Sequence, residues 1–240
     1  MKKNIGIVGY GKWAKKIFPS LQKHFNIKFI CNSKIDYKLI NLKKIDWVFV
    51  LSNNETHYQI LKYFFKKRVK IFCEKPLDSS FKKTSHLYKL AKKNKCKLYV
   101  DDVEFFKNKA INIKKVNKIY RFKKAKKSNV SLLHRLAYHD FYLFEKFINL
   151  KKISNIKLIE NNFNLKVSFE VSDKKYHFYY KINSNQNIHK INNIDLLKFK
   201  KEPLGRMFTC INKENLDFIN NKKRTLFSSK LISILKKRYK

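Results

Sequence analysis

The hydrophobic and polar positions of the chain fall into two regimes. Over the first hundred residues, short apolar runs alternate with amphipathic stretches. Asn4 to Val8 reads as a strand, Trp13 to His24 as a helix and Ile27 to Cys31 as a second strand. The rhythm continues with a strand at Asp46 to Leu51, a helix at His57 to Lys67, a strand at Lys70 to Cys73, a helix at Ser79 to Asn94 and a strand at Lys97 to Val100. Strands that are apolar on both faces and separated by helices predict a parallel sheet covered on both sides, hence an α/β, doubly wound domain.

After Asp102 the segments lengthen and begin to alternate inward and outward positions. Lys118 to Lys123 is the first expected strand there and Leu133 to Asn149 a helix; Ile156 to Ile159, Asn164 to Val171 and Tyr176 to Ile182 read as antiparallel strands. Ser184-Asn185-Gln186-Asn187 reads as a turn, and Lys213 to Asn220 and Ser228 to Lys237 as closing helices. The predicted organisation is two domains, residues 1–117 and residues 118–240, the second an α+β domain on a mostly antiparallel sheet.

Composition fits that picture. At 240 residues with 44% hydrophobic and 15% aromatic content, each half can bury a core of its own. The 57 Lys and Arg against 17 Asp and Glu give a formal net charge of +40, which raises the question of a polyanionic partner. The excess is spread as Lys2-Lys3, Lys43-Lys44, Lys66-Lys67, Lys92-Lys93, Lys126-Lys127 and Lys236-Lys237, with no confined arm or stripe, so a solvated cationic surface is expected and no specific nucleic acid. Such a surface still attracts anionic ligands in a salt-dependent way. Cys31, Cys73, Cys96 and Cys210 lie far apart without zinc-site spacing, which predicts buried reduced thiols and no metal centre. No run has the length of a membrane span, and the N-terminal apolar stretch is too short for a signal peptide, so a cytoplasmic location is expected.

The candidate chemistry starts at Gly9-Tyr10-Gly11-Lys12-Trp13-Ala14, a G-x-G-x-x-G/A pattern set between a strand and a helix. In a dinucleotide-binding Rossmann domain, Gly9 permits the tight turn, Gly11 lets the backbone approach a pyrophosphate, and Ala14 lets helix and strand pack, with the helix N–H groups facing the anion. Tyr10, Lys12 and Trp13 are counted with this cofactor-binding turn. The second strand ends in Cys31-Asn32-Ser33-Lys34, without the carboxylate that usually holds the ribose of NAD. Ser33 and Lys34, beside Asn32, suit a 2′-phosphate, so NADP is favoured over NAD, while Asp36 keeps the NAD reading open.

Two further segments bring a family into view: Val48 to His57, ending Ser52-Asn53-Asn54-Glu55-Thr56-His57, and Val69 to Leu77, containing Glu74-Lys75-Pro76. With the glycine turn they resemble the Gfo/Idh/MocA oxidoreductases, in which a strand ends in an N-x-x-H loop and E-K-P follows after a helix and strand. The resemblance implies that Ser52, Asn54, His57, Glu74 and Lys75 face the cofactor. A lysine at the carboxyl end of a parallel strand also suits proton transfer with a substrate hydroxyl, since burial and neighbouring cations lower its pKa toward neutrality, and Pro76 pins the turn. Leu132 to Asp140 looks like the family's D-x-G-x-H segment, with His139 in place but Arg135 where Asp is expected and Ala137 where Gly is usual.

Lys75 and His139 are therefore the expected catalytic pair, and Arg135 and Asp140 the expected substrate contacts, Arg135 by clamping a carboxylate or phosphate. The family implies an NAD(P)-dependent dehydrogenase or reductase acting on a sugar, sugar nucleotide or polyol, with a possible homo-oligomer across the second sheet. It also implies a second domain shortened relative to typical members. The loss of the carboxylate at position 135 favours an alternative, a cofactor-binding regulatory protein without turnover.

Overall fold

The computed structural model describes residues 1–108, 116–127, 130–198 and 202–237. The first part alternates β1 (Asn4–Val8), α1 (Lys12–His24), β2 (Asn26–Cys31), β3 (Trp47–Val50), α2 (Asn54–Lys66), β4 (Lys70–Cys73), α3 (Phe81–Lys93) and β5 (Leu98–Val100). All five strands pair in parallel, in the order β2-β1-β3-β4-β5. The expected doubly wound sheet is thus present, and its order reverses between β1 and β3. Val48, Val50, Ile71 and Cys73 pack one face against Leu61 and Phe64 of α2 and Leu87 of α3, all buried. Each such side chain removed from water contributes roughly 1.5–3 kcal/mol, which is what holds short strands of β-branched and aromatic residues in place.

The chain continues through α4 (Val103–Asn108), β6 (Lys118–Lys123), a helical stretch containing α5 (Tyr138–Phe141), and β7 (Ile153–Glu160), β8 (Asn164–Val171), β9 (Lys174–Ile182), β10 (Ile188–Ile191) and β11 (Ile194–Asp195). It closes with α6 (Pro203–Asn212) and α7 (Phe218–Lys237). The six later strands form one sheet in the order β11-β10-β6-β9-β8-β7, antiparallel except for the parallel pair β6 and β9. Its inward residues alternate along the strands: Leu165, Val167, Phe169 and Val171 on β8 and Tyr176, Phe178, Tyr180 and Ile182 on β9 are buried. Leu133, Leu136, Phe141 and Phe144 from the helical stretch join the same core.

The chain divides into two compact units, Met1–Val103 with Pro203–Leu226, and Glu104–Glu202 with Phe227–Lys240. This differs from the boundary expected at 117/118, because a later segment returns to the first unit. There Phe208 of α6 packs its ring on Phe25, Phe49 and Phe72, and Asn221 of α7 exchanges hydrogen bonds with the backbone of Val100. Sequence periodicity carries no information about such a return.

Three element assignments change for local reasons. The helix expected over 213–220 is broken at its start, where 213–217 join α6 to α7, and only 218–220 are helical, as the first turn of α7: Glu214 takes φ 54° at the end of α6, and the Asp217 carboxylate accepts the Asn220 N–H at 3.0 Å as a cap. The helix expected over 133–149 opens as a π turn at Leu133–Ala137 and ends at Phe144, while Asn149 caps the next short turn. The short strands β10 and β11 lack enough alternating length to be seen in sequence. All four cysteines are free; Cys31 and Cys73 are buried as expected, but Cys96 and Cys210 are only half-buried. No helix of the described residues is long and apolar enough to cross a membrane.

Candidate functional site

Backbone pairing runs one residue past the carboxyl end of each parallel strand and so fixes the start of each loop. Gly9 N–H donates to Cys31 O at 2.8 Å, Leu51 N–H to Val8 O at 2.8 Å, Glu74 N–H to Val50 O at 2.9 Å and Asp101 N–H to Cys73 O at 2.9 Å. One edge of the sheet therefore carries Gly9, Ser52, Glu74 and Asp101, and the order reversal between β1 and β3 is where doubly wound sheets open a ligand crevice.

The two glycines of the turn do different things. Gly9 has φ +95°, and a Cβ there would lie 2.3 Å from the Ser52 backbone nitrogen, so the crossing of the β1 turn over the β3 loop requires glycine. Gly11 precedes α1 with φ −83°, and a Cβ there would meet nothing within 4 Å. The fold itself thus leaves the space over Gly11 open. No side chain caps α1, its first turn holds no acidic residue, and its leading N–H groups are directed to that side. Ala14 is fully buried between helix and sheet. A dinucleotide pyrophosphate fits this cradle, since a helix start with no acid and no cap, next to a Cβ-free position, is what an anion requires.

Around the cradle, Lys12 is exposed and Tyr10 rests edge-on against Phe18. Trp13 is 42% exposed, yet its indole N–H donates to Glu74 Oε1, tying the glycine turn to the Glu74-Lys75-Pro76 turn. After β2, Asn32 Oδ1 accepts the Lys34 N–H at 2.8 Å, leaving Ser33 and Lys34 exposed. Asp36, the one carboxylate nearby in sequence, accepts the Lys38 N–H at 2.9 Å and starts a short helical turn.

After β3, Ser52 Oγ accepts from Thr56 at 2.8 Å, and Asn54 opens α2, half-buried. His57, expected at the cofactor, is held inside the edge by its neighbours. It is 1% exposed, with Nδ1 2.9 Å from Pro76 O and Nε2 3.0 Å from Ser52 O. Both ring nitrogens face backbone carbonyls, and burial lowers its affinity for a proton. The side chain pins the β3 loop to the Lys75-Pro76 turn and shapes the edge from below.

Glu74 and Asp101 lie side by side beyond the paired residues Cys73 and Val100, both buried. Burial pushes the Glu74 carboxyl above its usual range, against the pull of the Trp13 N–H and the Lys75 ammonium. Asp101 is raised well above its usual range by burial and by the neighbouring Glu74 charge. Lys75 is half-buried at this turn.

In the second unit, the Asp140 carboxylate is fully buried, accepts Arg121 Nη1–H at 2.9 Å and meets His189 Nε2 at 2.8 Å, so it belongs to an internal charge cluster. Arg121 Nη2–H also donates to Glu104 Oε1 at 2.7 Å. Burial would raise the Glu104 carboxyl, but the Arg121 guanidinium holds it at about 2. His139 and Arg135 are half-buried, and one guanidinium N–H of Arg135 donates to Lys126 O at 2.8 Å. The π turn that carries Arg135 is a rare geometry that recurs at functional sites.

Sequence reasoning missed Asp101, Glu104, Arg121 and His189. A signal existed for the first, because Asp101 and Asp102 are adjacent acids at the end of an apolar strand in a chain with only 17 acidic residues. Asp102 is also drawn inward, where Arg224 donates to it.

Residues 21–102 match the Gfo/Idh/MocA family model, described as an oxidoreductase family with an NAD-binding Rossmann fold. Over these residues the first unit is similar to the Rossmann domain of that family. The match includes the His57 loop and the Glu74-Lys75-Pro76 turn; the Gly9 to Ala14 turn precedes it and stands on its own geometry.

No match was found among curated proteins. Solved structures share the fold along the whole chain. A Gfo/Idh/MocA family oxidoreductase from Vibrio cholerae is similar with a TM-score of 0.75 and 15% identity, over 100% of both chains. A UDP-N-acetylglucosamine 3-dehydrogenase from Acidithiobacillus ferrooxidans gives a TM-score of 0.79 at 10% identity, over 98% of both chains. A structure from Sinorhizobium meliloti described as a myo-inositol dehydrogenase gives 0.70 at 11% identity, covering 100% of this chain and 98% of the other. The Gfo/Idh/MocA likeness therefore extends in fold, though not in sequence, through the second sheet.

Proposed function

We propose that this chain is an NAD(P)-dependent dehydrogenase or reductase acting on a CH–OH group of a sugar, sugar nucleotide or polyol. The observation that carries the reading is one of arrangement: the open, uncapped cradle at Gly11 and the Lys75 turn lie along the same carboxyl edge of one parallel sheet. A nicotinamide cofactor bound there supplies hydride exchange. The chain's own residues bind and orient. Gly9, Gly11 and the N–H groups of α1 hold the pyrophosphate, Ser33 and Lys34 face the adenosine side and favour NADP, and Ser52 and Asn54 line the β3 loop. The engagement of Asp36 in its own turn supports the NADP preference.

Lys75 is the principal proton-handling group, donating to or accepting from the substrate hydroxyl oxygen. In the second unit, His139 is the retained group of the family's second motif and is proposed as the further proton carrier, with Arg135 as an anion clamp. The substrates named for the similar structures, a UDP-sugar and an inositol, support a polyhydroxylated substrate class. Purified protein is expected to interconvert NADPH and NADP with one member of a panel of sugar nucleotides and polyols, with Lys75→Ala lowering kcat by about 10²–10⁴-fold. Cofactor binding without turnover on any of them, with Lys75→Ala unchanged in binding, would instead favour the regulatory reading to which Arg135 points.

A further inference from the structure

We infer that Glu74 and Asp101 form a proton-sharing carboxyl pair that positions Lys75, making Asp101 a positioning residue of the edge described above. The placement comes from the sheet. Cys73 and Val100 are register partners on β4 and β5, so the next residue of each strand projects beside the other. Both side chains are buried, 9% exposed for Glu74 and 3% for Asp101, and the two carboxyls are in hydrogen-bonding contact. Two ionised carboxylates are both acceptors and cannot hydrogen-bond each other; the contact requires one proton between them.

The surroundings say where the proton resides. Glu74 accepts both the Trp13 indole N–H, at Oε1, and the backbone N–H of Lys75, so Glu74 is the site of negative charge. Asp101 has one oxygen accepting the Val103 N–H at 2.9 Å and also feels the Lys75 ammonium, but the charges of Glu74 and Asp102 press on it, so it keeps the proton and donates it to Glu74. The other groups acting on the pair are the Cys73 thiol and Asp102; the thiol is itself pushed up by burial, and Asp102 is engaged by Arg224. The pull of burial on both carboxyls agrees with this assignment.

The consequence concerns the charge next to Lys75. Two full carboxylates would hold its ammonium firmly protonated; a pair carrying one charge orients the amine and leaves its proton transferable. As pH rises and the shared proton is lost, the second charge appears and Lys75 is locked in the ammonium form.

This inference rests on the proposed role of Lys75 only for its kinetic meaning; the shared proton is measurable without any activity. The test is infrared spectroscopy of the full chain labelled with ¹³C-carboxyl aspartate. One isotope-shifted carboxylic-acid band is expected at neutral pH, persisting well above the ordinary aspartate titration, and absent in Asp101→Asn. No such band in folded wild-type protein overturns the pair. Trp13→Phe supplies a second arm: it removes a donor from the charged partner, so the band should persist to higher pH, and a downward shift would contradict the assignment of charge to Glu74. If the band behaves as expected but the alkaline limb of a measured rate profile does not move in Asp101→Asn, the pair stands and the role of Lys75 fails.

Discussion

Each unit buries two carboxyl groups together, and the two pairs are treated in opposite ways. In the second unit Glu104 and Asp140 are joined by the Arg121 guanidinium, itself 3% exposed, with His189 completing the cluster. In the first unit the groups acting on Glu74 and Asp101 include the half-buried Lys75 and the Trp13 N–H. A cluster whose charges are matched inside the core is a structural device: it links α4, β6, α5 and β10 of one unit. A cluster at the carboxyl edge of a parallel sheet whose carboxyls are raised by burial holds a proton beside a cation, which is the condition for chemistry.

The largest effect that would test this contrast is removal of the matched cation. Arg121→Ala removes the buried cation that Glu104 and Asp140 share, leaving them only Lys107 and His189, and is expected to destabilise the second unit by about 3–5 kcal/mol, read by denaturant unfolding with hydrogen exchange resolving the unit. A cost below about 1 kcal/mol would mean the cluster is not structural. Next in size is the glycine turn. Gly9→Ala forces a side chain into φ +95° against Ser52 and should cost about 1–3 kcal/mol. Gly11→Ala has room for its Cβ and should cost no more than about 1 kcal/mol, the difference between Gly and Ala before a helix, while cofactor affinity falls at least tenfold. Equal stability losses at the two positions would erase the distinction between a turn glycine and a ligand glycine.

The smallest effect is the most diagnostic in sign. Glu104 is held at about 2, below its unfolded value, so its contribution is present above the ordinary carboxylate range and is lost as pH falls from there toward 2. Glu74 and Asp101 are raised, so their contribution is greatest below the ordinary carboxylate range and declines as pH rises through their elevated values. On acidification from neutral pH, amides near Arg121 should lose protection from exchange while those at the ends of β4 and β5 hold or gain it. Parallel loss in both units would remove the contrast.

The first unit was largely legible in the sequence because its signals are local. A strand, Gly9-x-Gly11 and a helix succeed one another directly, and the Glu74-Lys75-Pro76 turn sits where a buried strand ends. What stayed hidden is what depends on neighbours distant in sequence. Asp140 comes after His139 in a helical stretch and reads as a site residue; only the pairing of β6 with β10 brings Arg121 and His189 to it. That Pro76 O and Ser52 O lie on either side of the His57 ring is equally invisible in the sequence. The return of Pro203–Leu226 to the first unit is hidden for the same reason, since Phe208 looks like any core aromatic of a terminal helix.

Whether the Gly9 to Ala14 turn holds a nicotinamide dinucleotide is decided by fluorescence titration of the folded chain with NADPH and NADH. Saturable binding at one site per chain is expected, tighter for NADPH, surviving physiological salt and weakened by Gly11→Ala. Binding of neither cofactor, or a signal that vanishes at physiological salt as nonspecific attraction to a chain of charge +40 would, contradicts it.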